Sequence, residues 1–146
     1  MTLRRHISYT ASVCALLLSA CGPGFTDKDN SPAAALKIEV PESAKPLGGY
    51  LDPYRVEFLM PNDQWRSYVD KYYPGKTLSE FTSKTEYEYP SVCIAAFRSG
   101  VHLVKWVTSD EIQYLDTDQT AHRSVSAIPD CEQGKAYVRW SLDKPK

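Results

Sequence analysis

The sequence contains few of the residues from which metal and redox sites are built. It has 3 His and 4 Cys among 146 residues, and no two cysteines show the Cys-x-x-Cys spacing of many redox and zinc sites. A Gly-x-Ser-x-Gly nucleophile turn is also missing from the sequence. These absences argue against a redox site, a zinc site and an α/β-hydrolase active site of the common kinds. We therefore expect neither a cofactor nor a metal.

An excess of basic charge is absent as well. The chain has 17 Lys and Arg against 18 Asp and Glu, which gives a formal net charge of −1. Loss of residues 1–20 would remove Arg4 and Arg5 and bring the net charge to about −3. Nucleic-acid binders concentrate basic residues on one surface, so we expect no nucleic-acid partner.

Long apolar runs are absent, and the one marked apolar segment is short and lies near the N-terminus. Residues 7–20 are mostly apolar, and they follow the basic pair Arg4 and Arg5. A transmembrane helix needs roughly 20 predominantly apolar residues, whereas this run is shorter and includes several hydroxyl residues. The pattern is typical of an export signal, and it leaves the general secretory and twin-arginine routes open.

The apolar run ends in Leu18-Ser19-Ala20-Cys21, which resembles the lipobox of bacterial lipoprotein signal peptides. The resemblance implies cleavage after residues 1–20 and lipidation of Cys21 by a diacylglyceryl thioether, often with an amide-linked third chain such as palmitate. Two or three acyl chains make membrane attachment effectively permanent. The expected location is the extracytoplasmic side of the cell membrane, or an outer membrane where the cell has one. A retained helix and a conventional cleaved signal are the alternatives.

The two cysteines of the C-terminal half are expected to form a disulfide. Cys14 would leave with the signal peptide and Cys21 would carry lipid, so Cys93 and Cys131 remain as a pair in an oxidising compartment. On the chain-entropy estimate such a bridge stabilises the fold by ~3–4 kcal/mol.

Residues 21–46 have the composition of a flexible tether. They contain several prolines, a run of three alanines and a polar block, and such a segment cannot bury enough apolar surface to offset the entropy of ordering. As a coil the segment would reach roughly 25–30 Å from the lipid. Residues 36–40 alternate in polarity, so an edge strand is the alternative there.

Residues 47–146 predict one small globular extracytoplasmic domain of the α+β class. We expect a small antiparallel β meander of about five to six strands, with one helix packed on a face. The helix is predicted from the N-cap Asn62 to Tyr73, where Pro74-Gly75 ends it. The predicted strands cover residues 54–60, 92–97, 101–108, 111–115, 121–128 and 135–142.

Polar side chains offer several weak candidates for a site. Asp116 and Asp118 with Glu111 have oxygens for calcium, but the spacing fails the EF-hand pattern and a solvated turn is the better interpretation. His102 and His122 could supply two ligands to a zinc ion, whereas a catalytic zinc normally has three protein ligands. Carboxylate pairs of a glycoside hydrolase could be drawn from Glu86, Glu88, Asp110, Glu111, Asp116 and Asp118.

Aromatic segments are the remaining candidates. They are Tyr72-Tyr73 and Tyr87-Glu88-Tyr89. Their rings could pack in the core, or they could form a surface that stacks on sugars or anchors a protein partner. The Ser99-Gly100 turn resembles a motif of periplasmic lysozyme-inhibitor lipoproteins, although His102 and Leu103 stand where that family has an aromatic residue.

The sequence favours a non-catalytic binding module of the cell envelope, whose partner is a protein, a peptide or a cell-wall glycan. A small envelope hydrolase is one alternative, and we do not expect an enzyme. An inhibitor or immunity-type lipoprotein is another, and it would need a loop protruding near residues 129–134 or 116–120. A deep pocket with convergent carboxylates would favour the enzyme, and an aromatic patch would favour binding.

Overall fold

The computed structural model describes residues 31–145. Residues 1–30, with the predicted signal peptide and Cys21, lie outside the described residues. The strands are β1 Lys45–Leu51, β2 Tyr54–Pro61, β3 Ser79–Phe81, β4 Lys105–Gln113, β5 Thr120–Glu132 and β6 Lys135–Leu142. The helices are α1 Pro32–Ala35, α2 Trp65–Tyr72 and α3 Ile94–Arg98, and two 3₁₀ turns lie at Glu86–Glu88 and Ser91–Cys93.

The six strands form one open sheet in the order β1-β2-β6-β5-β4-β3. All neighbouring strands are antiparallel, so the predicted α+β class and antiparallel sheet are confirmed. The predicted meander holds from β3 to β6 only. It fails for β2, because β6 lies between β2 and β5 and separates the β1–β2 hairpin from the rest of the meander.

Strands β2 and β6, which alternating polarity predicts, pair with each other in the sheet. Phe58 lies opposite Val138, and Val56 lies opposite Trp140. All four side chains are at most 1% exposed. Because successive residues of a strand point to opposite faces, the polar residues between them lie on the other face of the sheet.

Other predicted elements differ from the structure. Residues 92–97, predicted as a strand, form the end of a 3₁₀ turn and most of α3. The two strands predicted over 101–108 and 111–115 are the single strand β4, which runs through the expected turn at Ser109-Asp110. The reason is that Asp110 lies opposite Arg123 of β5 and forms an ion pair with it at 2.6 Å. Strands β1 and β3 were not predicted.

The start of α2 also differs from the prediction. Asn62 does not cap this helix, which begins at Trp65 with Gln64 in the N-cap position. Asn62 instead exchanges two hydrogen bonds with Asp130. Its Nδ2 donates to Asp130 Oδ1 at 2.6 Å, and its Oδ1 accepts from the Asp130 N–H at 3.1 Å. The Asn62 side chain is therefore hydrogen-bonded to the end of β5.

The segment before β1 departs from the predicted tether of residues 21–46. From Ser31 onward it forms α1 and a turn, with no strand over residues 36–40. Leu36 is fully buried and Ile38 is 8% exposed, both in the large core cluster. Leu36 and Ile38 therefore pack this proline-containing segment on the domain, which the tether prediction did not anticipate. Residues 21–30 lie outside the described part of the chain.

Two apolar clusters lie on opposite faces of the sheet. The larger joins β2, β5 and β6 with side chains from residues 31–40, from α2, including Val69, and from Tyr73 just after it. The smaller surrounds the Cys93–Cys131 disulfide, which confirms the predicted pair and ties the 3₁₀ turn before α3 to β5. Among residues 31–145, no helix has the length and hydropathy needed to span a bilayer.

Candidate functional site

One face of the sheet is only partly covered. The smaller cluster covers the end of this face near the disulfide, and beyond it the side chains are polar and partly exposed. We call this surface the open face. It comprises Arg55, Glu57, Lys105, Val107, Ser124, Ser126, Arg139 and Ser141, none of which is buried.

A cleft of about 340 Å³ lies where the open face meets the 3₁₀ turn Glu86–Glu88. We call it the aromatic cleft. Strands β2, β4, β5 and β6 each contribute to it, and the turn forms one side. Its lining includes Glu57, Tyr87, Glu88, Lys105, Ser126 and Arg139. The cleft thus combines one exposed aromatic ring with charged and hydroxyl groups.

The turn that carries Tyr87 is hydrogen-bonded on both sides. On one side of it, both carboxylate oxygens of Glu86 accept hydrogen bonds from Arg98, at 2.7 and 2.9 Å. On the other side, the Tyr89 hydroxyl donates to the Leu103 carbonyl at 2.9 Å and accepts from the Ser83 N–H at 3.0 Å. Tyr87 itself is 92% exposed. The aromatic ring of Tyr87 is therefore exposed to solvent on a turn that hydrogen bonds hold in place.

Charged side chains of β2 and β6 form one side of the cleft. Arg139 Nε lies 3.9 Å from Glu57 Oε1. Arg55 Nε lies 3.2 Å from the same oxygen, as an ion pair without a directed hydrogen bond. Burial, with a smaller effect of Glu57, raises the pKa of the Tyr137 hydroxyl. Tyr137 thus remains a neutral hydrogen-bonding group at physiological pH.

A second pocket of about 240 Å³ adjoins the aromatic cleft on the open face. We call it the basic pocket. Lys105, Ser126 and Arg139 line both spaces, so the two adjoin, and we call them together the groove.

The two histidines are not brought together. His122 lies on β5 and its Nδ1 is 3.4 Å from Glu111 Oε1 of β4. His102 is exposed and precedes β4, at the opposite end of that strand from Glu111. Among residues 31–145, no three His, Cys, Asp or Glu side chains are placed to hold a metal ion.

The aspartates of the predicted calcium candidate lie in an exposed hairpin. Asp116 and Asp118 belong to the turn between β4 and β5. Thr117 closes this turn, because its Oγ1 donates to the Tyr114 carbonyl at 2.6 Å. The geometry is that of a solvated turn.

Of the candidate carboxylates, only Glu88 lines the aromatic cleft. Asp110 and Glu86 are occupied by Arg123 and Arg98. The second carboxylate in the cleft is Glu57, which was not among the candidates. A general acid needs an apolar setting, whereas Glu57 lies between two guanidinium groups. Glu57 therefore lacks the setting of a general acid.

The tyrosine segments divide between core and surface. Tyr73 is 2% exposed and stacks on Trp140, with ring centroids 5.7 Å apart. Tyr89 is buried in the smaller cluster, and Tyr87 is the exposed member. In the segment near residues 129–134, one of the two places named for an inhibitor loop, Cys131 is bonded to Cys93 and the Asn62 side chain donates to Asp130.

Lys105, Ser126 and Arg139 were not predicted as site residues. They are the polar positions of strands that were recognised from their apolar positions. The alternation itself placed them together on the second face, but only the strand order shows which of them become neighbours. The register sets Ser126 opposite both Arg139 and Val107.

Comparisons with known proteins add no relative. No family model matches the chain, and neither a curated protein nor a solved structure matches it. The function is therefore inferred from the groove itself.

Proposed function

We propose that the protein is a lipid-anchored binding module of the cell envelope that holds a glycan chain, without catalysis, in the groove of the open face. The observation that carries the proposal is the aromatic cleft, in which the exposed ring of Tyr87 stands beside hydrogen-bonding side chains of four strands. Sugar rings present apolar C–H faces and polar edges, and this combination serves both.

The chemistry of the groove favours a glycan over a protein partner. Protein interfaces centre on desolvated apolar or aromatic anchors, whereas the floor of this groove carries serines and charged groups. Three hydroxyls lie together there: Ser124 and Ser126 on β5, and Ser141 opposite Ser124 on β6. Such groups exchange hydrogen bonds with sugar hydroxyls without a large apolar contact.

The sequence motif at Cys21 supplies the proposed location. Ser31, the first described residue, follows Cys21 by about ten residues, which span at most ~33–36 Å when fully extended. A lipid on Cys21 would hold the domain within that distance of the bilayer. An envelope glycan is a ligand that such a domain would meet.

Substitution of Tyr87 by Ala tests the binding proposal. We expect the full-length protein to bind a tetrasaccharide of N-acetylglucosamine, and Tyr87→Ala to bind it about two- to tenfold more weakly, because a ring contact contributes ~0.5–1.5 kcal/mol. Calorimetric titration measures both affinities. Leu51→Ala is the control, since Leu51 is 60% exposed on β1 and does not line the cleft. Equal affinities for the parent and Tyr87→Ala, or no binding by the parent, would refute the proposal.

Substitution of Cys21 by Ala tests the anchor. We expect the parent to partition into detergent on phase separation and the variant to stay in the aqueous phase, because the sulfur that would carry lipid is gone. Mass spectrometry of the parent should show acyl chains on Cys21. A variant that partitions as the parent does would contradict the lipoprotein assignment.

A hydrolase is the second candidate, because Glu57 and Glu88 line one cleft. Prolonged incubation with the same tetrasaccharide separates the two functions. A binding module leaves the probe intact. New reducing ends that disappear in both Glu57→Gln and Glu88→Gln would favour the enzyme.

A further inference from the structure

The basic pocket combines cationic and hydroxyl groups in one small space. Its volume is about 240 Å³, and its lining includes two cations and three hydroxyls but no carboxylate: Lys105, Arg139, Ser124, Ser126 and Ser141. A site with this lining donates hydrogen bonds and offers no negative charge to repel an anion.

Lys105 forms no ion pair within 4.0 Å in the described part of the chain. The ion pairs among residues 31–145 do not include it. Yet its side chain is only partly exposed, and it also lines the aromatic cleft. Glu57 and Glu88 share the cleft with it, but neither pairs with Lys105 within 4.0 Å, so its ammonium group is available to an anionic ligand group.

Arg139 is only weakly engaged. It lies 3.9 Å from Glu57, whereas Arg55 lies 3.2 Å from the same carboxylate oxygen. Because Arg55 pairs more closely with Glu57, the guanidinium of Arg139 keeps hydrogen-bond donors for a ligand. A guanidinium matches the two oxygens of a carboxylate or a phosphate.

The hydroxyls add donors at the floor of the pocket. Ser124 and Ser141 face each other across β5 and β6 with their oxygens 2.8 Å apart. Two hydroxyls that share one hydrogen bond leave one proton free to donate to a third group. Ser126 lies beside them on β5, directly opposite Arg139.

From this geometry we infer that the basic pocket binds the carboxylate or phosphate group of an acidic saccharide whose neighbouring ring occupies the aromatic cleft. The inference rests on the proposed glycan binding and adds the class of glycan. Lys105 and Arg139 pair with the anionic oxygens, and the serine hydroxyls donate to them. The shared position of Lys105, Ser126 and Arg139 between the two spaces sets the anionic group next to the sugar ring.

Three tetrasaccharides test the inference by calorimetric titration of the full-length protein. One is the neutral N-acetylglucosamine tetramer, the second alternates N-acetylglucosamine with glucuronic acid, and the third is the neutral tetramer carrying one 6-phosphate. We expect at least one acidic probe to bind at least about tenfold more tightly than the neutral one, the effect of one charge-assisted hydrogen bond. Which acidic probe is preferred distinguishes a carboxylate from a phosphate ligand.

Variants show whether the preference belongs to the basic pocket. Lys105→Gln combined with Arg139→Gln should abolish the preference, so that this variant binds the acidic probes no more tightly than the neutral one. Lys105→Gln alone should weaken the preference and serves if the double variant does not fold. Lys37→Gln, at an exposed residue beside the segment packed on the other face, should keep the full preference.

The outcomes separate the two proposals. Equal binding of neutral and acidic probes, or a preference that survives the double variant, overturns the anionic pocket and leaves glycan binding intact. Failure of all three probes overturns glycan binding. In that case inorganic phosphate at constant ionic strength decides about the pocket: thermal protection that Lys105→Gln/Arg139→Gln removes supports an oxyanion site, and no protection overturns it.

Discussion

At the scale of single residues, Arg123 shows how a charge is accommodated inside this domain. Its side chain is 5% exposed and donates to both carboxylate oxygens of Asp110 at 3.0 and 2.6 Å, and to the Leu36 carbonyl at 3.0 Å. The guanidinium also lies 5.3 Å from the Tyr73 ring and 5.5 Å from the Trp140 ring. One side chain therefore joins the sheet, α2 and the segment before β1.

Removal of this guanidinium should be costly. We expect Arg123→Ala to lower the free energy of unfolding by about 3–5 kcal/mol, because it leaves the Asp110 carboxylate and the Leu36 carbonyl without their buried partner. Urea denaturation followed by tryptophan fluorescence measures the change.

Arg98→Ala is the matched control for this prediction. It removes a bidentate partner of Glu86 at an exposed site, where ion pairs contribute little, so its loss should be clearly smaller. Similar losses for both arginines would contradict the role given to Arg123.

At the scale of elements, the segment before β1 belongs to the domain. Leu36 is fully buried, Arg123 holds its carbonyl, and the Tyr72 hydroxyl accepts from the Glu39 N–H at 2.8 Å. The Tyr68 hydroxyl donates to the Glu39 carbonyl at 3.0 Å. The backbone of this segment therefore obtains from α2 and β5 the hydrogen bonds that a strand would take from a neighbour.

Leu36→Ala distinguishes this arrangement from a loose tether. We expect a loss of about 2–5 kcal/mol in the free energy of unfolding, from lost burial and the cavity left behind. Lys37→Ala, at the exposed neighbouring residue, should change it little. Indistinguishable denaturation midpoints for Leu36→Ala and the parent would show that the segment is not part of the folded unit.

Element boundaries could be predicted where polarity alternates strictly, and not elsewhere. Strands β2 and β6 follow from period two alone, whereas a short apolar run such as residues 92–97 fits a strand or a helix equally well. The sequence did contain helix signals around this run: Pro90 before it, Ala95-Ala96 within it and Gly100 after it. In the structure Gly100 has φ +87°. Asp110 and the buried segment at Leu36 depend on partners distant in sequence, so local patterns could not predict them.

At the scale of the whole molecule, the two faces of the sheet have different roles. One face holds the larger core with α2 and residues 31–40, and the other is covered only near the disulfide. The polar positions of the central strands were visible in the sequence, but their convergence into a groove follows from the insertion of β6 between β2 and β5. The site could therefore not be predicted before the strand order.

Obstruction of the groove tests the central claim, that the ligand lies on the open face. Ser126→Trp places an indole at the floor of the aromatic cleft, and Ser67→Trp places one at an exposed position of α2, whose apolar side chains join the other face. We predict that the N-acetylglucosamine tetrasaccharide binds Ser67→Trp as it binds the parent, and Ser126→Trp at least about tenfold more weakly, while both variants keep the parent's denaturation midpoint. Undiminished binding to a folded Ser126→Trp would contradict the account.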